Sequence, residues 1–374
     1  MRKIAKAYDK ARDKEKTRFK VKNVRLVWSI LFIVLLASGC KEHHIASSEG
    51  STWHWPIMGT VASLTVLDGE PDAALVLAKA AVEEVNAQLS AFNPTSDVGK
   101  INAGAGTDTF IPLRPQTQRV LEASILYYRD SGGAFNPLIG PLMEVWGFLR
   151  GGNDEEKGFD IPSAHAIDEA GKLCDLNRMD IRSDGAVRLL DTGMMLDFGA
   201  IAKGHGVDVA FERLLAAGYT NMLVNLGGNM RAIGVPSPER ETWRIAVRDP
   251  RKGLSDKPLG TVLLGDGRAI ATSGSYEQYF DWEGKRYSHI MDPRTGFPVD
   301  SVLQVTIVAP TAMAADALST TCFVLGVEAG MECLVRYPGC EALFVLDDEE
   351  GFVIKMTEGF KSVFETEEGT VDER

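Results

Sequence analysis

Apolar positions change their period along the chain, and each change marks an element. Residues 61–66 (VASLTV) alternate, the period of a half-buried strand. Behind Pro71, apolar residues recur every three or four positions over 73–89, which predicts a helix with proline in its first turn. The same spacing predicts helices over 117–128, 161–173, 206–217, 312–325 and 327–337, with Gly218 ending the one at 206–217. Short apolar or alternating runs predict strands at 187–190, 194–198, 222–226, 243–247, 261–264, 276–282 and 302–308, and a hairpin from 343–346 and 351–355. The order is not a clean βαβ repeat, and no internal repeat or linker interrupts it after residue 53. These elements predict an α+β fold in which helices flank layered mixed sheets. One large domain over 53–360 is expected, followed by an acidic tail over 361–374.

The first 52 residues read differently. Residues 1–25 hold eleven Lys/Arg against three acids, and an apolar run of only eleven residues follows at 27–37. A membrane-spanning helix needs about 20 apolar residues, so this run reads as the core of a secretory signal. Ala37-Ser38-Gly39-Cys40 resembles a bacterial lipobox, although Leu is usual where Ala37 stands. That reading makes 1–39 a signal peptide, Cys40 a lipidated mature N-terminus and 41–52 a polar, flexible tether. The protein is then expected on the periplasmic face of a membrane, the inner one by preference. A plain signal anchor with an incidental cysteine is the alternative. The basic head is long for a signal, which points to a start at Val21 or Val24.

Composition adds an electrostatic constraint. The total formal charge is -12, and the basic head carries +8 of it, leaving -20 on the remainder. An acidic body repels phosphate backbones, so nucleic acid is excluded as a partner. A phosphate-bearing ligand would need a local cation. Cys174, Cys322, Cys333 and Cys340 form no CxxC pair, which argues against zinc, and a domain of this size does not need disulfides.

Four stretches carry candidate chemistry. In Leu196-Asp197-Phe198-Gly199-Ala200-Ile201-Ala202-Lys203-Gly204, a strand ends in an acid and a small-residue turn leads into a helix. Small residues allow a ligand close to the backbone, helix N–H groups suit phosphate, and Lys203 supplies positive charge. A tight strand-to-helix turn with a surface lysine fits the same residues. Asn225-Leu226-Gly227-Gly228-Asn229 reads as a turn or a ligand cradle. His289 lies between a strand and a Pro/Gly loop, placed either as a general base or as a partner of the Asp292 turn. Asp316 and Thr320 stand four apart on one helix face. Their oxygens suit magnesium, while an acid near a helix N-terminus is also favoured by the macrodipole alone.

Taken together, these motifs resemble the ApbE family of FAD:protein FMN transferases. The resemblance also draws on Met58-Gly59-Thr60, Leu89–Pro94 with Ser96-Asp97, Gly132–Pro137 with Gly140-Pro141-Leu142, and His289–Gly296, and it runs from Trp53 to about Phe352. It implies that Met58, Phe92, Ala134, Phe135, Asn136, Asp197, Lys203 and Ile290 line an FAD site. It implies that the Ala200 carbonyl, Asp316 and Thr320 hold Mg2+, and that His289 is catalytic. The reaction implied moves FMN from FAD onto a threonine or serine of an acceptor protein, in the family a membrane respiratory subunit, with AMP released. Asn136 departs from the pattern, since Asp is common there; so does His205, where an aromatic residue is commoner. Two rival readings are a Mg-dependent FAD pyrophosphatase giving FMN and AMP, and a non-catalytic flavin-binding lipoprotein.

Overall fold

The computed structural model describes residues 43–47, 50–149, 161–237, 240–250, 258–348 and 351–366. The signal segment, Cys40 and residues 367–374 of the acidic tail lie outside them. In chain order the strands are β1 (His43–Ser47), β2 (Gly50–Ile57), β3 (Thr60–Val66), β4 (Met179–Ile181), β5 (Val187–Leu189), β6 (Met222–Leu226), β7 (Asn229–Ile233), β8 (Trp243–Val247) and β9 (Gly260–Leu264). They continue with β10 (Ala269–Gly274), β11 (Tyr279–Trp282), β12 (Lys285–Ser288), β13 (Met291–Asp292), β14 (Phe297–Pro298), β15 (Gln304–Ala309), β16 (Glu341–Asp348), β17 (Gly351–Met356) and β18 (Phe364–Thr366). The helices are α1 (Pro71–Leu89), α2 (Asp97–Ala103), α3 (Pro115–Asp130), α4 (Gly140–Val145), α5 (Ala164–Lys172), α6 (Ala202–Ala216), α7 (Ala312–Leu325), α8 (Val327–Leu334) and α9 (Glu358–Lys361).

A nine-stranded sheet in the order β1-β2-β3-β6-β7-β10-β15-β16-β17 organises the chain. Its strand pairs are all antiparallel, whereas the sequence reading predicts a mixed sheet. Apolar alternation sets which face a residue takes but says nothing of strand direction. Direction here follows from tight turns such as Met58-Gly59 and Gly227-Gly228, which return the chain beside itself.

Both faces of the sheet are covered, so β15 reads as a continuous buried run. Val305 and Ile307 point toward α1, α6 and α7, where Val82, Val85, Val207, Phe211, Leu318 and Phe323 form the main core. Val308 points the other way, with Ile270, Leu343 and Val345, against Trp243, Val262, Leu264 and Phe360. There a small sheet, β18-β9-β8, closes the second layer. A third cluster joins Trp146 to Phe280, Tyr287 and Met291 beneath the β11–β12 hairpin. All four cysteines of the described body are buried and unbridged, in accord with packing roles.

Three sequence expectations shift. Residues 194–198 are no strand: the Leu196 N–H donates to Asn102 Oδ1, its carbonyl accepts from Asn102 Nδ2, and the Asp197 N–H donates to the Pro137 carbonyl. The backbone is satisfied by a side chain and a loop, so no ladder forms. Strands β7 and β10, unassigned from sequence, are central in the sheet. The sheet also starts early, with β1 and the first residues of β2 inside the stretch expected to be tether.

Candidate active site

The site is built where α6 and α7 meet, and each helix caps the other. Asp208 of α6 is buried and accepts from the Ala312 and Met313 N–H groups at 2.8 Å, while Arg231 donates to it at 2.8 Å. Asp316 of α7 accepts from the Gly204 N–H at 2.8 Å and from the Lys203 N–H. The first-turn N–H groups of α6, read from sequence as free for phosphate, are therefore partly taken by Asp316. A buried acid at a helix N-terminus satisfies donors that have no partner within the helix.

Gly204 makes this approach possible. A Cβ at that position would lie 2.2 Å from the Ala312 carbonyl oxygen and 2.7 Å from Asp316 Cβ. Gly204→Ala is expected to destabilise the protein by about 3 kcal/mol, the upper end of overpacking costs, since the contact is with backbone. A chemical-denaturation midpoint matching that of the parent protein would refute this close packing.

Lys203 stands at the centre of the predicted residues. Its Nζ donates to the Gly199 carbonyl at 3.1 Å, next to Ala200 in the turn. Its charge acts on Asp197, Asp316, Glu277 and His289. Burial raises the Asp197 carboxyl above the usual carboxylate range, against the Gly199 N–H at 2.6 Å and the pull of Lys203. Burial likewise raises Asp316, against Lys203, the two N–H groups and the Asn229 side chain.

His289 follows β12. Its Nδ1 lies 3.1 Å from the Gln278 carbonyl, which also accepts from the His289 N–H at 3.0 Å. A carbonyl can only accept, so Nδ1 carries the proton and Nε2 keeps its lone pair. Phe148 packs edge-on against the ring, centroids 6.5 Å apart. Burial lowers the imidazole pKa to about 4, and Lys203 pushes the same way. The ring is neutral at pH 7, as a proton acceptor must be.

Other expected residues gather around this centre. Met58 takes a positive φ of 51° in the β2–β3 turn, and its Sδ lies 3.7 Å from where a Gly206 Cβ would be, against α6. The neighbouring β6–β7 turn needs glycine: Gly227 has φ 60°, and a Cβ there would fall 2.5 Å from Thr60 Oγ1. Ala134 and Phe135 are buried, and Pro137 ties their segment to Asp197. The Asn136 side chain is committed to the fold, donating to the Cys174 carbonyl and accepting from the Leu138 N–H, both at 2.8 Å. Ile290 is buried, and its carbonyl accepts from the Val299 N–H. Phe92 is 73% exposed on the loop between α1 and α2, and no polar or ring contact among the described residues ties it to Lys203. His205, given no role from sequence, is buried with Nε2 at 2.8 Å from Gln116 Oε1. A cavity of about 550 Å³ lies elsewhere, lined by Phe211, Leu215, Arg231 and Arg268, and holds none of these residues.

Sequence reasoning assigned nothing to Ser273, Asn229 or Asp208. Ser273 lies 3.1 Å from Thr320 Oγ1. Asn229 is buried beside Asp316, and its Oδ1 has no hydrogen-bond partner among the described residues. Asn229 ends the Asn225–Asn229 stretch read above, and Ser273 lies in the small-residue run Ala271–Tyr276, just before the strand predicted at 276–282; only the packing of β7 and β10 against α7 shows their use. The donors near Asp316 are all hard oxygens, one of them an orphaned buried acceptor, and such a set suits a divalent ion such as Mg2+.

Fold and site together define a class: an enzyme on one α+β body, with a lysine, buried carboxylates and a neutral histidine gathered at a helix-opening turn. The profile of the ApbE family matches residues 58–344. The FAD:protein FMN transferase of Treponema pallidum is 37% identical over 317 residues, covering 78% of this chain and 83% of that protein. The FAD:protein FMN transferase of Haemophilus influenzae is 28% identical, covering 92% and 99%. Among solved structures, the flavin transferase ApbE from Vibrio cholerae superposes with a TM-score of 0.73 at 27% identity, covering 87% of this chain and 99% of that one. The apo flavinyl transferase ApbE of Pseudomonas stutzeri gives 0.71 at 31% identity, covering 86% and 97%. This chain belongs to the ApbE family.

Proposed function

We propose that this protein transfers the FMN half of FAD onto a threonine or serine hydroxyl of an acceptor protein, with AMP as the leaving group. The observation that carries the reading is the convergence of Lys203, Asp316 and a neutral His289 on one turn, in a family whose relatives above are FAD:protein FMN transferases. His289 Nε2 takes the proton of the incoming hydroxyl, whose oxygen bonds to the FMN-side phosphorus as the diphosphate P–O bond to AMP breaks. Lys203 offsets charge on the phosphates and orients them beside the turn. Asp316, Thr320 and the Ala200 carbonyl would hold Mg2+, which when bound neutralises charge developing on the diphosphate. Met58, Phe92, Ala134, Phe135, Asp197 and Ile290 are assigned to the flavin nucleotide. Asn136 serves through its backbone, since its side chain is occupied.

The deciding experiment incubates the protein with FAD, Mg2+ and a threonine-bearing acceptor peptide. Flavin-labelled peptide with an equal amount of AMP supports the reading. Free FMN with AMP and no labelled peptide would point to hydrolysis instead.

We also assign Cys40 to a lipid anchor that places the enzyme beside a membrane-bound acceptor, raising its effective concentration. Cys40→Ser is expected to move the protein from the membrane to the soluble fraction of an exporting cell. Retention in the membrane fraction would count against the anchor.

A further inference from the structure

The three hydroxyls at the meeting of β10 and α7 form a chain whose direction can be worked out. Ser319 Oγ donates to the Asp316 main-chain carbonyl at 2.9 Å. Ser273 Oγ lies 2.8 Å from Ser319 Oγ and 3.1 Å from Thr320 Oγ1. Each hydroxyl has one proton and two lone pairs. A carbonyl cannot donate, so the Ser319 proton is spent on Asp316. The contact between Ser319 and Ser273 must then use the Ser273 proton. With that proton spent, the contact between Ser273 and Thr320 must use the proton of Thr320. The direction is therefore Thr320 to Ser273 to Ser319 to the Asp316 carbonyl.

We propose that Ser273 is a positioning residue that draws the Thr320 proton away from the site, so that Thr320 Oγ1 meets a divalent cation as a pure acceptor. This rests on the assignment of Mg2+ to Asp316 and Thr320. A hydroxyl whose hydrogen faces a cation repels it; one that donates elsewhere turns its lone pairs inward and gains negative charge along the chain. The chain also ends on the main chain of the residue whose side chain is the other ligand, so ligand orientation and the first turn of α7 are set together. Ser273 reaches this place from the end of β10, a strand fixed by pairing with β15 and β7.

The test is calorimetric titration of MgCl2 into the full-length protein saturated with FAD, without acceptor. Ser273→Ala is expected to weaken Mg2+ binding 10- to 100-fold, the range for an outer partner of a metal ligand, with an unchanged melting temperature before metal is added. Ser273→Thr, which keeps the hydroxyl, is expected to bind as the parent does. Ser319→Ala frees the Ser273 proton to point at Thr320, so it is expected to weaken binding as well. The double variant should lose no more than the weaker single one, because the chain acts as a unit. Parent binding with unchanged affinity in Ser273→Ala, or losses that simply multiply in the double variant, would overturn the relay while leaving the metal site standing. A parent protein that shows no Mg2+ binding would instead overturn the metal assignment itself. Should Ser273→Ala fold poorly, Ser273→Cys decides in its place, since a thiol accepts hydrogen bonds only weakly and unchanged affinity there would overturn the relay.

Discussion

Asp316→Asn is expected to lower flavin transfer about 10²- to 10³-fold while leaving the fold in place, the scale of losing one group that stabilises the transition state. Asparagine keeps an oxygen for the Gly204 N–H, so the contact between α6 and α7 survives. What disappears is the negative charge. That charge is costly in the protein alone, because burial raises the Asp316 carboxyl despite Lys203, two N–H groups and Asn229. A carboxyl raised in the folded state stabilises when protonated, and this contribution fades as pH rises through its folded pKa. A neutral amide removes the cost, so the metal-free variant should melt at the same temperature or higher at neutral pH. Stability gained where activity is lost is the usual signature of a residue kept for function. Flavin fluorescence of the acceptor in a denaturing gel, paired with thermal melts, measures both sides. A variant retaining a tenth of parental transfer would remove Asp316 from the reaction.

His289→Ala should slow transfer about 10²- to 10⁴-fold and leave FAD affinity within a few-fold of the parent value. With Mg2+ saturating, so that Asp316 stays ionised, the parent rate should stay level as pH falls from 8 toward 5, then drop as the imidazole takes a proton near its lowered pKa of about 4. An ordinary histidine would begin to lose activity near pH 6.5. The alanine variant should lack the acidic limb. A parent profile that already halves at pH 6.5, or an unchanged rate in the variant, would remove the base assignment.

Much of the layout was legible in residue order. Helices α1, α3, α6 and α7 announce themselves by period, with Pro71 and Gly218 as punctuation. Strand direction was not legible, because alternation is the same for either sense. Residues 194–198 misled for a related reason: their apolar run is that of a strand, but Asn102, some ninety residues earlier, takes the hydrogen bonds a neighbouring strand would have made. Within the site, Lys203, Asp316, Thr320 and His289 could be named because each sits in a motif. Ser273 and Asn229 sit in motifs too, yet their value depends on which atom of a distant helix they face. Asp208 had no motif at all; its use as a cap for α7 exists only once the two helices are packed.

The absence of a side chain at Gly204 has a mechanical consequence. With Asp208 and Asp316 tying the two helix starts together across that bare contact, a shift of α6 against α7 would break three hydrogen bonds at once, so Lys203 and Asp316 ride on one joined unit. His289 stands on separate support, at the foot of a two-stranded hairpin that is not part of the main sheet.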